Sequence, residues 1–171
     1  YVAVIILAGL LFAGVSWQFL LKDFQRHRVE VFLNPELDPQ GRGYNVRQAT
    51  IAVGSGQLFG RGLGQGLQSQ LKFLPERQTD FVFATMAEEI GFVGSFIVII
   101  LYGIVLVRIW YVVRSARDEL GAYIAGGVLF MILVQVTVNI GMNMGLLPVT
   151  GIPLPLISYG GSSFMVTLIS L

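Results

Sequence analysis

The chain has 171 residues, 54% of them apolar and only 12% charged, with a formal net charge of +1 and a mean hydropathy of +0.73. Soluble domains carry about 25% charged residues, so a freely water-soluble globule is excluded; the near-balanced charge is itself uninformative, and no nucleic-acid partner is expected. Without cysteine there is no disulfide and no thiolate metal site.

Residues 1–21 contain no Asp, Glu, Lys, Arg or His, which is enough apolar chain to cross the hydrocarbon once as a helix. The chain opens without Met inside this run and stops at Leu171 inside another, so both ends read as cuts through a larger protein. Residues 22–79 form a long polar loop with eight basic and five acidic residues, interspersed with apolar ones such as Val31, Phe32, Tyr44, Ile51 and Phe59. Such a loop can fold against the membrane face. The turn formers of residues 34–41 predict a chain reversal, and residues 46–53 an amphipathic helix with Asn45 as its cap. His27 has no second His to share a metal with and reads as a solvated loop residue.

Six glycines fall between Gly54 and Gly66, but in neither the P-loop nor the GxGxxG spacing, and no strand precedes them. On residues alone this is a tight irregular loop lying flat on the bilayer, with an anion nest of exposed N–H groups as the other reading.

Residues 80–107 form the second predicted span, about 42 Å of helix, longer than a hydrocarbon core of about 30 Å. Asp80 then sits at the outer interface, with Glu88 and Glu89 roughly 12 Å deeper. Ionisable groups at that depth face protein or a watery cavity. Eight helical steps leave Glu88 about 80° from Asp80 and nine put Glu89 about 180° away, so only Glu88 can share a cavity with Asp80. Two readings of Asp80 stand: a carboxylate capping the helix N-terminus, or a functional group.

Residues 108–119 are a short loop bearing Arg108, Arg114 and Arg117, and short basic loops stay in the cytoplasm. The loop of residues 22–79 therefore faces outside. Residues 120–171 are uncharged and too long for one span. They predict a third span over 120–147, a broken or re-entrant segment over 148–163 with Pro148, Pro153 and Pro155, and the start of a last span over 164–171. Irregular backbone within a membrane must be buried in protein or line an aqueous cavity; a plain turn at the outer surface is the alternative. Gln135, Thr137, Asn139 and Asn143 on the third span suit inter-helix hydrogen bonding. The expected fold is thus an all-α polytopic transmembrane helix bundle, a C-terminal fragment with three full spans, a large extracellular loop and a partial fourth span.

Several stretches together resemble the SEDS family, the shape, elongation, division and sporulation proteins, and its RodA branch rather than FtsW. The carriers are Gly-Tyr-Asn-Val-Arg-Gln at 43–48, Gly-Ser-Gly-Gln-Leu-Phe-Gly at 54–60, residues 68–84 with Leu-Pro-Glu-Arg-Gln-Thr-Asp, Ala-Glu-Glu-Ile-Gly at 87–91, Asn-Ile-Gly-Met at 139–142 and Gly-Ile-Pro-Leu-Pro-Leu-Ile-Ser-Tyr-Gly-Gly-Ser-Ser at 151–163. Gln78 stands where the family often has His, and Asn143-Met144 also departs from the commonest pattern. The resemblance implies ten membrane helices, of which this chain carries the seventh through part of the tenth.

It further implies a peptidoglycan glycosyltransferase in the bacterial cytoplasmic membrane, joining lipid II to the growing glycan strand on the outer face during cell elongation and rod-shape maintenance. The implied partner is a class B penicillin-binding protein, and the family's essential loop aspartate falls on Asp80. Lipid II is α-linked and the glycan β-linked, so a single inverting displacement needs one base, for which Asp80 suits, and cationic or metal help for the departing diphosphate. Arg47, Lys72 and Arg77 are the expected loop cations; Glu76, Glu88, Ser158 and Tyr159 complete the expected substrate-binding set. A divalent cation such as Mg2+ is compatible with this chemistry, although no ligand cluster demands one. A lipid II flippase or other transporter, or a non-catalytic scaffold for the crosslinking enzyme, would share the intramembrane carboxylates and broken helix.

Overall fold

The structure, a computed structural model, describes residues 22–66, 79–159 and 161–170. The predicted first span, residues 1–21, and Lys72, Glu76 and Arg77 lie outside the described residues. All the regular structure described is helical: α1 (Asp23–Leu33), a 3-10 turn (Pro35–Leu37), α2 (Arg42–Ser55), α3 (Val82–Ser115), α4 (Glu119–Asn143) and α5 (Gly161–Ser170).

The chain reverses after α1 as the turn formers require. The Asn34 side chain accepts from Glu36 N–H at 3.3 Å, and Pro35 opens the 3-10 turn with its ring at the first position. α2 begins four residues before the expected 46–53 helix. Asn45 is no cap but lies within the first turn, where its own N–H bonds to Gly41 O at 3.2 Å. Gly43 lets that turn sit directly on the Pro35 carbonyl, which a Cβ would overlap.

α3 and α4 are long and apolar enough to cross a membrane, with mean hydropathies of 2.7 and 2.0. Only 17% and 22% of their apolar windows are buried within the chain, so the outward-facing Phe96, Ile97, Ile100, Leu101 and Ile104 form a face that water would not tolerate. That is the surface of a membrane helix bundle. The two helices pack through Phe83, Tyr102, Ile109, Ile132 and Val136, closed at one end by Leu154. α3 continues through Arg108 and Arg114 to Ser115, so only residues 116–118 connect it to α4. Asp118 caps α4 by accepting from Gly121 N–H at 2.9 Å.

α3 is not continuous. Gly91, with φ 70° and ψ −169°, breaks it, and the glycine-rich loop is what makes the break tolerable. Arg61 N–H and Gly62 N–H donate to the freed carbonyls of Glu88 and Glu89 at 3.0 and 3.1 Å. Phe92 N–H and Val93 N–H, freed on the other side, donate to Gln57 O and Leu58 O at 2.8 and 3.1 Å. Unsatisfied backbone groups in a membrane cost several kcal/mol each, so this clasp carries much of the stability of the upper half of α3. It also requires glycine. A Cβ at Gly56 would overlap the Ala87 carbonyl, one at Gly60 the Glu89 carbonyl, and one at Gly91 the Gly60 nitrogen. Four of the loop's backbone groups thus serve α3, two as donors and two as acceptors.

Candidate active site around Asp80

Asp80 precedes α3 rather than lying on it, so no helical angle relates it to Glu88. Phe81 occupies the cap position, and the N–H of Ala84 is met by Asn143 Oδ1 at 3.2 Å. The cap of this helix therefore comes from α4, and Asp80 stands one residue outside the cap position. Glu88 is fully buried.

Residues 79–81 are fixed from three sides. Phe81 is buried among Ala49, Ala52 and Ala84, in the contact between α2 and α3. Asn139 and Asn143, both fully buried and one helical turn apart on α4, donate through Nδ2 to Asp80 O at 3.0 and 3.1 Å. Asn139 Nδ2 also reaches Ile152 O at 2.8 Å, and Asn143 Nδ2 reaches Asn139 O at 2.8 Å. The amide orientation of Asn143 is forced, because reversing it would face its oxygen with carbonyls and its nitrogen with the Ala84 N–H. On the third side Ser158 Oγ donates to Thr79 O at 2.7 Å and accepts from Leu154 N–H at 2.7 Å.

The irregular segment over residues 144–159 owes its path to the same bonds. Gly145 and Gly151 have φ of 71° and 74°, and Leu146 N–H returns to Gly141 O at 2.8 Å to close the end of α4. Tyr102 OH, from α3, donates to Pro155 O. Gly151 lies under the carboxylate: a Cβ there would stand 3.4 Å from Asp80 Oδ2. Asp80 is half-buried and Gly151 exposed, so the residue lies at a partly accessible edge while its backbone is held by Asn139 and Asn143.

The other expected site residues divide. Ser158 is buried and its hydroxyl is engaged with backbone, holding Thr79; Tyr159 beside it is 80% exposed. Arg47 is exposed on α2, about 200° around that helix from Ala49 and about 140° from Ala52, the residues packed on Phe81. The structure therefore turns Arg47 away from the Phe81 contact. In its place it brings a cation that sequence reasoning missed. Arg28 of α1 donates from Nη1 to Thr150 O in a long bond of 3.5 Å, next to Gly151. No local signal marks this contact, since 122 positions separate the two residues. Among the described residues no group of three or more His, Asp or Glu gathers to hold a metal.

The chain is matched over residues 1–171 by the family model described as FTSW_RODA_SPOVE, cell cycle protein. It is 50% identical over 165 residues to the peptidoglycan glycosyltransferase MrdB of Escherichia coli (strain K12), an alignment covering 96% of this chain and 44% of that protein. To the peptidoglycan glycosyltransferase RodA of Treponema pallidum (strain Nichols) it is 46% identical over 151 residues, covering 88% of this chain and 35% of that one. To stage V sporulation protein E of Bacillus subtilis (strain 168) it is 43% identical over 158 residues, covering 92% and 43%. Among solved structures it is similar, with TM-score 0.72 and 33% identity over 99% of this chain and 46% of the other, to a chain from work on structural coordination of polymerization and crosslinking by a peptidoglycan synthase complex. The chain thus spans less than half the length of these relatives.

Proposed function

The chain belongs to the FtsW/RodA/SpoVE family of cell cycle proteins, and from that premise we propose that its protein is a peptidoglycan glycosyltransferase polymerising lipid II, with Asp80 as the base. The names of the 50% and 46% identical relatives, both peptidoglycan glycosyltransferases, support the activity and the elongation branch. The observation that carries the role of Asp80 is its placement: two buried amides hold its carbonyl from α4, while the half-buried residue brings its carboxylate over the exposed Gly151. A base must be held within hydrogen-bond reach of the proton that it takes, and here the backbone supplies the fixity.

In the proposed step the sugar hydroxyl of the acceptor attacks the anomeric carbon of the donor from the face opposite the lipid diphosphate. The C–O bond to the diphosphate breaks, its electron pair leaves with the diphosphate, and the hydroxyl proton passes to the Asp80 carboxylate. One displacement converts the α linkage to β. Arg108, Arg114 and Arg117 cluster at the opposite end of α3 from Asp80, which supports a cytoplasmic position for that end and an outward-facing site in the cytoplasmic membrane. The peptidoglycan synthase complex containing the similar chain supports a class B penicillin-binding protein as partner. The break at Gly91 gives no support to transport, because transporters coordinate cargo with the freed backbone of such breaks and here the glycine-rich loop takes four of those groups; the transporter reading tied to residues 148–163 is tested by whether lipid II is consumed.

The test is lipid II polymerisation by the full-length protein with its partner. Asp80→Asn should lose roughly 10²-fold or more of the rate while folding normally, and Asp80→Glu should retain little activity. A capping carboxylate would tolerate Asn, which caps helices as well as Asp does. Near-normal strand synthesis by the Asn variant would refute the proposal for Asp80.

A further inference from the structure

Arg28 is the cation on α1 that the fold carries to the Asp80 edge. Its guanidinium is held by one long bond to Thr150 O and by the Phe24 ring, 5.7 Å from its centroid. Arg28 also lines a small recess with Val31, Phe32, Val46 and Val149. Its Nε is shielded from solvent yet has no hydrogen-bond partner among the described residues. A guanidinium cannot shed its proton and carries five donors in a rigid fork, so this one retains unused capacity for an anion. Among the described cations, Arg61 is engaged through Nε with Ser55 O at 3.3 Å, Arg47 is turned away from the Phe81 contact, and Arg108, Arg114 and Arg117 lie toward the far end of α3.

The separation from Asp80 is also suitable. Thr150 O is 3.5 Å from Arg28 Nη1, and the Cβ position of the next residue, Gly151, is 3.4 Å from Asp80 Oδ2. With about 3 Å of covalent geometry between those two points, the guanidinium is at most roughly 10 Å from the carboxylate. An in-line displacement spans a similar distance. About 3 Å separates base from attacking oxygen and about 3 Å that oxygen from the reacting carbon. One phosphate ester linkage and a charge-assisted bond of about 2.8 Å then lead to the cation.

We infer that Arg28 binds the diphosphate of the lipid-linked sugar, receiving the leaving group on the side of the site away from Asp80. This rests on the polymerase reading, but it concerns binding and is separable from catalysis. The same guanidinium would suit the phosphate of an ordinary phospholipid headgroup, so the test must separate the two sources.

The experiment is equilibrium binding of undecaprenyl diphosphate to the full-length protein with its partner in detergent, with undecaprenol and phosphatidylglycerol as comparison ligands. Arg28→Gln should cut the preference for undecaprenyl diphosphate over undecaprenol at least tenfold, and Arg28→Lys, which keeps the charge but loses the fork, by a smaller factor. An unchanged preference in Arg28→Gln overturns the inference, as does displacement of undecaprenyl diphosphate by equimolar phosphatidylglycerol. If Arg28→Gln does not fold, the Lys variant decides, and an unchanged preference there overturns it equally. Full polymerisation by Asp80→Asn would sink the base assignment while leaving the Arg28 measurement decisive on its own terms.

Discussion

Asn143 has more bonds at the Asp80 edge than any residue whose chemistry could be guessed from type alone. Its amide caps α3 at Ala84, holds the Asp80 carbonyl and braces Asn139. Removing it leaves a buried N–H of Ala84 without that acceptor, which costs about 1–3 kcal/mol, and frees one of the two donors on Asp80. Asn143→Ala should therefore lower the unfolding temperature in detergent and reduce polymerisation by tenfold or more. Asn143→Asp should be no better, because its oxygens would face carbonyls. Wild-type rates in either variant would show that the base needs no such anchor. That Asn139 and Asn143 lie on one face of an uncharged helix was readable from their spacing of four. The carbonyl they hold was not, since 63 positions separate Asn143 from Asp80. Arg28 was hidden for the same reason: its contact is with a backbone carbonyl, which leaves no mark in residue type.

α4 was legible as a charge-free run behind the polar residues 117–119, α3 only as far as Val107, since its last turns carry Arg108 and Arg114 and read as loop, and the turn at Pro35 as a cluster of turn formers. The break at Gly91 was not. A single glycine in an apolar run is ordinary in a membrane helix, and the groups that satisfy the break lie some thirty residues earlier. The angular placement of Glu88 relative to Asp80 failed for another reason, that α3 begins at Val82 and leaves Asp80 outside it. The clasp makes a sharp prediction about glycines that look alike in sequence. Gly60→Ala combines an unfavourable positive φ of 78° with overlap of the Glu89 carbonyl, and should lower the unfolding temperature severely or abolish folded yield. Gly54→Ala, in α2 with nothing within 4 Å of the added carbon, should be neutral or stabilising by about 0.5–1 kcal/mol. Equal melting temperatures for the two variants would mean that the loop does not seal the helix.

At the scale of the whole molecule the described residues have two ends: Asp80, the glycine clasp and α1 and α2 at one, the arginines of residues 108–117 at the other. Single cysteines placed at the exposed positions Gln40 and Ser115, in a full-length protein freed of other thiols, should report this with a membrane-impermeant reagent. Gln40→Cys should label in intact cells and Ser115→Cys only after the membrane is opened, whereas labelling of position 115 from outside would invert the orientation. The clasp has one more consequence, and it is evolutionary. Because the glycine-rich loop holds α3 through main-chain atoms, the side chain of Leu63, largely exposed, contributes nothing to that hold. Selection is then free to rewrite it, suiting the surface to a new neighbour, while Gly56, Gly60 and Gly91 keep the backbone that presents it unchanged.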